Sequence, residues 1–455
     1  MKGIKKLFFL IVLAFFSLAC AVVSGPLGLG TATPAAQRPR GEDGPAAAAR
    51  ADRLCLGTFG YGAACLDSAG WQVFQEGGTI GGDQISAVAS CPDGRFMVVH
   101  TTGLSTQPAP GAAWLEMELT NDQYMDHLVC TLAGEVWGYD YDTLLRLHAG
   151  YWYPTPLKQL SLDRPGSRMI VDVEPGPDGE IWVVSTDSVA VSDGSGWKVY
   201  GEGQDWEEQV HLSQIAFDGR GRTWLASMEG LYRFASGRLH LEAKRSLFSP
   251  TELRIGADGT FWIATNQGVL AYRDGAWQVF TFSDQGLASD TIRDLEIDQR
   301  GRVWAATDWG LLVYDGGQWH AFQMHNADLP GNFIMSLLVD GRGPDLPEPL
   351  RRQPGSLGGR LLRGEQALSG VALEVCVEYL STVFETPCAG QPVQARAITR
   401  RDGSFTIDNL PTGYYYLAAH VDDKWENITG PGIVPRPVFV PEGGILELGD
   451  ISVTE

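Results

Sequence analysis

GRVWAATDWGLLVYDGGQWHAF, residues 301–322, decides the fold, because most of the chain between about residue 52 and residue 343 is a variant of it. Arg302 to Thr307 is an apolar run ended by the polar turn Asp308-Trp309-Gly310. Leu311 to Tyr314 is a second run, stopped by Asp315, Gly316 and Gly317, and Trp319 to Phe322 is a third. Upstream, TIRDLEIDQRG (291–301) alternates Ile292, Leu295 and Ile297 with polar residues before a turn at Gly301, which makes a fourth strand. Four antiparallel strands joined by tight turns form a small sheet that cannot bury both faces alone. It needs neighbours of its own kind.

Those neighbours are in the sequence. Aligned on Trp304 and on the position 15 residues later, Trp137 pairs with Trp152, Trp182 with Trp197, Trp262 with Trp277, and Trp304 with Trp319. Trp224 has Leu239 at that offset, Leu56 has Trp71, and the copy at Met97 has slipped to Trp114. Anchors at 56, 97, 137, 182, 224, 262 and 304 recur at a period near 42, the signature of a β-propeller with one four-stranded blade per repeat. The copy at Leu56 lacks its first strand, whereas NFIMSLLVDGRG (332–343) has the first-strand pattern and no second strand after it. Pairing 333–340 into the blade begun at 54 removes the free edges of an open ring. The expected fold is all-β, a seven-bladed β-propeller over 52–343 closed by a C-terminal strand. A Pro- and Arg-containing linker (344–355) and a small β-sandwich (356–455) follow.

The copies resemble the two-component regulator propeller repeat, matched by DQRGRVWAATDWGLLVY with WHAF, by ADGTFWIATNQGVLAY with WQVF, and by PDGEIWVVSTDS with WKVY. Such repeats are common in the periplasmic sensor parts of histidine kinases, but no kinase, membrane helix or regulator follows here. The C-terminal segment resembles the carboxypeptidase regulatory-like domain, a transthyretin-type β-sandwich, at Gly370-Val371, Asp402-Gly403 with Phe405 and Ile407, and Leu410, Pro411, Gly413 and Tyr414. That resemblance implies a structural or adhesive role.

Residues 1–20 stand apart from the fold. Lys2, Lys5 and Lys6 precede the apolar run Leu7–Leu18, which is too short to span a bilayer, and Ala19-Cys20 closes it. This resembles a bacterial lipoprotein signal peptide, which implies a lipidated Cys20 and a membrane anchor on the extracytoplasmic side; plain secretion is the alternative. Residues 21–51, rich in Ala, Gly and Pro, read as a disordered tether.

With 34 basic and 55 acidic residues the chain carries a formal charge of -21, which repels phosphate backbones and argues against nucleic acid. Six cysteines besides Cys20 suit an oxidising compartment. Cys55 and Cys65, equidistant from the turn at Gly60, should face each other across a hairpin. Cys376 and Cys388 flank an insert in the sandwich and are candidates for a bridge that closes a short loop. Cys91 and Cys130, in first strands of adjacent blades, remain as a bridge or as two free thiols. No Cys/His spacing reads as a metal site, and no cofactor is expected.

A periodic tryptophan is inter-blade core, so the informative ones are off the repeat: Trp206, Trp309 and Trp425. In a propeller of this strand order the turns between second and third strands share one face with the inter-blade loops. That loop-rich face would present Tyr139, Asp140, Tyr141, Asp142, Asp187, Trp206, Asp308 and Trp309 as a ligand site, with Glu229 in an adjoining turn and Asp122, Tyr124, Glu207 and His325 in the inter-blade loops. Aromatic rings beside carboxylates suit a carbohydrate or a small cationic ligand, or a protein partner. The sequence has no GxSxG, HExxH or P-loop pattern. The expectation is therefore a non-catalytic, exported ligand-binding or interaction module of the sensor-propeller type. A propeller enzyme resembling streptogramin lyase, whose loop His and Glu residues act in catalysis, and an adhesive surface protein are the alternatives.

Overall fold

The structure, a computed structural model, describes residues 52–453 except 118, 120–124, 126, 161, 163–168, 193, 202, 204, 207–208, 284–287, 347–349, 378–394 and 429–436. Cys20, the signal and the tether lie outside the described residues, as do Asp122, Tyr124, Glu207 and Cys388. No helix among the described residues is long and apolar enough to cross a membrane.

Seven four-stranded antiparallel sheets account for the repeats. Blade 1 runs Arg53–Thr58, Ala63–Asp67 and Gly70–Phe74, with Ile334–Asp340 added beside Arg53–Thr58. That register pairs Leu54 with Val339 and Leu56 with Leu337. Blades 2 to 7 are meanders whose innermost strands are Ile85–Ser90, His127–Cys130, Ile170–Pro175, Leu212–Phe217, Glu252–Ile255 and Ile292–Ile297. Each innermost strand packs against the next, and Ile334–Asp340 lies between those of blades 7 and 2.

The second strand of most blades is buried from end to end, as in Val303–Thr307 and Ile181–Ser185. A strand between two neighbouring sheets has no solvent face, so its sequence is continuously apolar instead of alternating. Fourth strands such as Gln318–Phe322 alternate because they form the outer edge. The turns after the innermost strands need a left-handed residue, and Gly94, Gly134, Gly179, Gly221, Gly259, Gly301 and Gly343 all supply it with φ between 62° and 91°.

Two of these turns carry a clamp that the tryptophan repeat did not reveal. Asp298 accepts the backbone N–H groups of Arg300 (2.9 Å) and Arg302 (3.0 Å), the Arg302 Nε–H (2.7 Å) and the Trp304 Nε1–H (3.0 Å). Asp218 binds Arg220, Arg222 and Trp224 in the same way. Arg302 also donates to the carbonyls of Arg342 and Pro344, so it ties blade 7 to the chain leaving the closing strand.

The bridges Cys55–Cys65 and Cys91–Cys130 are present, with Cα separations of 4.0 and 5.2 Å. The first spans the expected hairpin, where the two cysteines are directly opposed. The second links blade 2 to blade 3. Cys376 is disulfide-bonded.

After the propeller, Gly355–Arg363 pairs with Gln366–Ala367, Ser404–Leu410 and, in parallel, Ile445–Ser452. A second sheet joins Ala372–Cys376 to Ala395–Ile398 and Gly413–Val421, with Lys424–Asn427 and Val438–Val440 beside the latter. Leu357, Leu361, Leu373, Val375, Phe405, Ile407 and Leu417 fill the space between the sheets.

Asp298→Ala should cost about 3 to 5 kcal/mol, because it strands the buried Arg302 guanidinium without its counter-charge. Asp218→Ala should cost less, about 1 to 2 kcal/mol, since Arg222 is half exposed. Urea unfolding of the two variants measures the difference.

Candidate functional site

The loop-rich face forms as the strand order requires. Its turns are tied to the inter-blade loops by backbone bonds such as Ile170 N–H to Tyr141 O and Gly310 N–H to Asn332 O. The side chains named from the sequence divide into two groups there.

Tyr139, Trp206, Asp308 and Trp309 are buried, which corrects their reading as ligand contacts. Tyr139 packs between blades 3 and 4, and its hydroxyl donates to Val171 O at 3.0 Å. Trp206 fills the gap between blades 4 and 5 with Trp182 and Val210. Asp308 is held in a two-pronged ion pair by Arg293, Nε to Oδ1 2.6 Å and Nη2 to Oδ2 2.8 Å. Burial pushes the Asp308 carboxyl upward, against the pull of that guanidinium.

Trp309, 2% exposed, enters the sandwich core and meets Tyr415 at 5.9 Å between ring centroids. Gly413 lets it in: a Cβ there would lie 3.4 Å from the indole and 3.2 Å from Asn332. On blade 1, Tyr61 packs against Tyr414 in a tilted pair, with ring centroids 3.9 Å apart. The sandwich thus covers the face over blades 7 and 1, through a ring whose turn position alone had made it look like a ligand platform.

Blades 3 to 5 carry the accessible group. Tyr141 is 55% exposed between Asp140 and Asp142. Asp140 Oδ1 accepts the N–H groups of Asp142 (3.1 Å) and Thr143 (2.8 Å), which shapes the turn, and burial raises its carboxyl. Asp187, half-buried, accepts the Ser188 hydroxyl at 2.7 Å. Phe248 is 54% exposed in the loop between blades 5 and 6.

The sequence reading named Glu229 but missed two features, of which its pairing with His211 is the first. Glu229 and His211 converge on this sector, with His211 Nδ1 2.6 Å from Glu229 Oε1 and the His211 N–H donating to Oε2 at 2.9 Å. They come from the turn and the inter-blade loop of one blade, 18 residues apart, so no local motif announces them.

The second is a charged channel lining. Counting back from the turn glycines, the position seven residues earlier is Ala87, His127, Asp172, Gln214, Glu252, Asp294 and Ser336. The position five earlier is Ala89, Val129, Glu174, Ala216, Arg254, Glu296 and Leu338. Arg254 pairs with Glu252, with Glu296 at 3.0 Å and with Glu174 at 3.3 Å. Burial drives the Asp172 carboxyl up to about 7, against a hydrogen bond from Ile215 and the charge of Arg254. It takes Glu174 to about 8, against Arg254, and raises Glu252 as well. The signal was the period-2 spacing of acids in VDVEP and RDLEID, which resembles an ordinary solvent-facing strand until the ring turns that face inward.

No protein-family model matches the chain, and no curated protein matches its sequence. Among solved structures it is similar to a streptogramin B lyase (15% identity, 52% of this chain and 83% of that one, TM-score 0.44). It is also similar to virginiamycin B lyase from Staphylococcus aureus (12% identity, 72% and 94%, TM-score 0.46). A third likeness is to the extracellular domain of the hybrid two-component system BT3049 of B. thetaiotaomicron (13% identity, 86% and 65%, TM-score 0.46). The seven four-stranded sheets define the chain as a β-propeller protein, and its disulfides are those of a protein folded in an oxidising compartment.

Trp309→Ala should lower stability by about 3 to 5 kcal/mol by emptying the contact with the sandwich. The checks are urea unfolding and faster proteolysis between residues 344 and 355.

Proposed function

We propose that the protein is an exported, non-catalytic binding module whose interaction surface is the open sector of the loop-rich face on blades 3 to 5. The observation that carries this reading is the exposed Tyr141 between two carboxylates, in a sector where no described residue of the sandwich is seen to pack. An exposed ring flanked by Asp140 and Asp142 attracts a cationic group or packs on the apolar face of a sugar, and the acidic chain adds attraction for positive charge. Partners of this chemistry are a carbohydrate, a small cationic ligand or a basic segment of a protein. In this reading Cys20 carries a lipid anchor, residues 21–51 tether the folded part to the membrane, and the sandwich is a carboxypeptidase regulatory-like spacer of sensor or adhesive type.

A second reading, catalysis at the loops, is favoured by the His211–Glu229 contact. A carboxylate at hydrogen-bond distance orients an imidazole for proton transfer, as a general base requires. Streptogramin and virginiamycin lyases share the fold, and a drug of that class is the substrate to try first.

The two readings separate in one set of measurements on the full chain. In a screen of glycans and cationic ligands, Tyr141→Ala should weaken binding at least ~10-fold, with His211→Gln unchanged and no ligand turned over. Turnover lost in His211→Gln would replace the binding reading with the catalytic one. Binding indifferent to Tyr141→Ala would remove this surface.

A further inference from the structure

We propose that the channel holds a divalent transition-metal ion of the zinc class, bound by His127 of blade 3 and by Asp172 and Glu174 of blade 4. One ligand atom from each side chain lies within 4.8 Å of the others. The three belong to the two inward-facing layers counted back from the turn glycines, so neighbouring blades deliver them to one point. The ring geometry, not any local motif, builds the set.

The imidazole supplies the second observation. His127 is half-buried at the start of the innermost strand of blade 3. Its ring packs on Tyr139 at 5.7 Å, and among the described residues neither nitrogen has a hydrogen-bond partner. A half-buried imidazole within 4.8 Å of two carboxylates, and bonded to neither, has its nitrogens free to ligate.

Both carboxylates are already oriented. Asp172 Oδ2 accepts the Ile215 N–H at 2.8 Å, and Glu174 Oε1 lies 3.3 Å from Arg254 Nη1. Such outer contacts hold ligating carboxylates in metal sites. Arg254 opposes a nearby cation, but its closer partners are Glu252 and Glu296. The lining still holds five carboxylates, Asp172, Glu174, Glu252, Asp294 and Glu296, against this one guanidinium.

One imidazole nitrogen with two carboxylate oxygens selects the metal. Calcium and magnesium prefer all-oxygen shells, whereas zinc and its neighbours accept this mixed set with bonds of about 2.0 to 2.2 Å. Bonds of that length set donors roughly 3.3 Å apart, so small side-chain rotations close the site. Three protein ligands leave one position toward the lumen for water.

The test uses the full chain stripped with EDTA and titrated with Co2+, whose visible absorption reports a four- or five-coordinate site, followed by displacement with Zn2+. The expected result is one equivalent bound and a higher melting temperature in Zn2+. Losing an outer partner costs metal sites 10- to 100-fold, so losing a direct ligand in His127→Gln should weaken Co2+ binding by roughly 100-fold or more. Asp172→Asn, which keeps the acceptor for Ile215, should do the same. Both variants should melt like the wild type in EDTA, because neither breaks a hydrogen bond of the fold. His211→Gln should bind Co2+ normally. Absence of saturable binding in the wild type, binding unchanged in both channel variants, or binding lost in His211→Gln would each overturn the proposal.

Discussion

Each blade of this protein has an innermost strand with an unpaired backbone edge, and the architecture depends on what those edges meet. A free row of N–H and C=O groups inside a protein must find partners or leave the sheet open to pairing elsewhere. Here, at three blade junctions, side chains of the preceding blade supply partners. Asp172 takes the Ile215 N–H, Asp294 takes that of Leu337 at 2.8 Å, and Ser336 takes that of Val88 at 3.2 Å. Ser336 donates in turn to Asp294, so blades 7, 1 and 2 are joined at the centre by side chains acting as backbone partners. The same carboxylates that join the blades line the channel with acidic groups.

The remaining constraints follow from ring packing. Sheets held on both faces need continuous apolar second strands, and the repeated tryptophans lie between neighbouring blades for that reason. Trp304 is 1% exposed and joins blade 7 to Leu54 and Leu337 of blade 1. The Asp298 clamp fixes that indole from the turn side, and the guanidinium of Arg302 lies over it at 4.9 Å. One aspartate thus connects turn geometry, inter-blade packing and the segment after the closing strand.

The open sector of the loop-rich face exists because the sandwich sits elsewhere. Trp309 and Tyr61 engage Tyr415 and Tyr414 on blades 7 and 1, whereas Tyr141 on blade 3 is 55% exposed. A tryptophan at a turn reads as a ligand platform when its surroundings are taken as solvent. Once a second layer packs on it, the same ring becomes core. Tyr141, in the equivalent turn of blade 3, has no such cover and stays exposed.

By itself the sequence determined the all-β class, the four-strand repeat and its period, the pairing of the last repeat strand with the first, and the Cys55–Cys65 bridge. Each is a local pattern or a consequence of chain order: apolar runs, turn glycines, and an unpaired first strand whose complement lies at the other end. Tertiary structure alone decided which face of each innermost strand looks into the channel, and which turn residues a neighbouring layer covers. Asp172 and Glu174 alternate like a solvated strand, and His211 and Glu229 meet only because a loop and a turn share one end of a blade. Those outcomes depend on how strands, turns and loops pack against one another in space, which residue spacing alone does not encode.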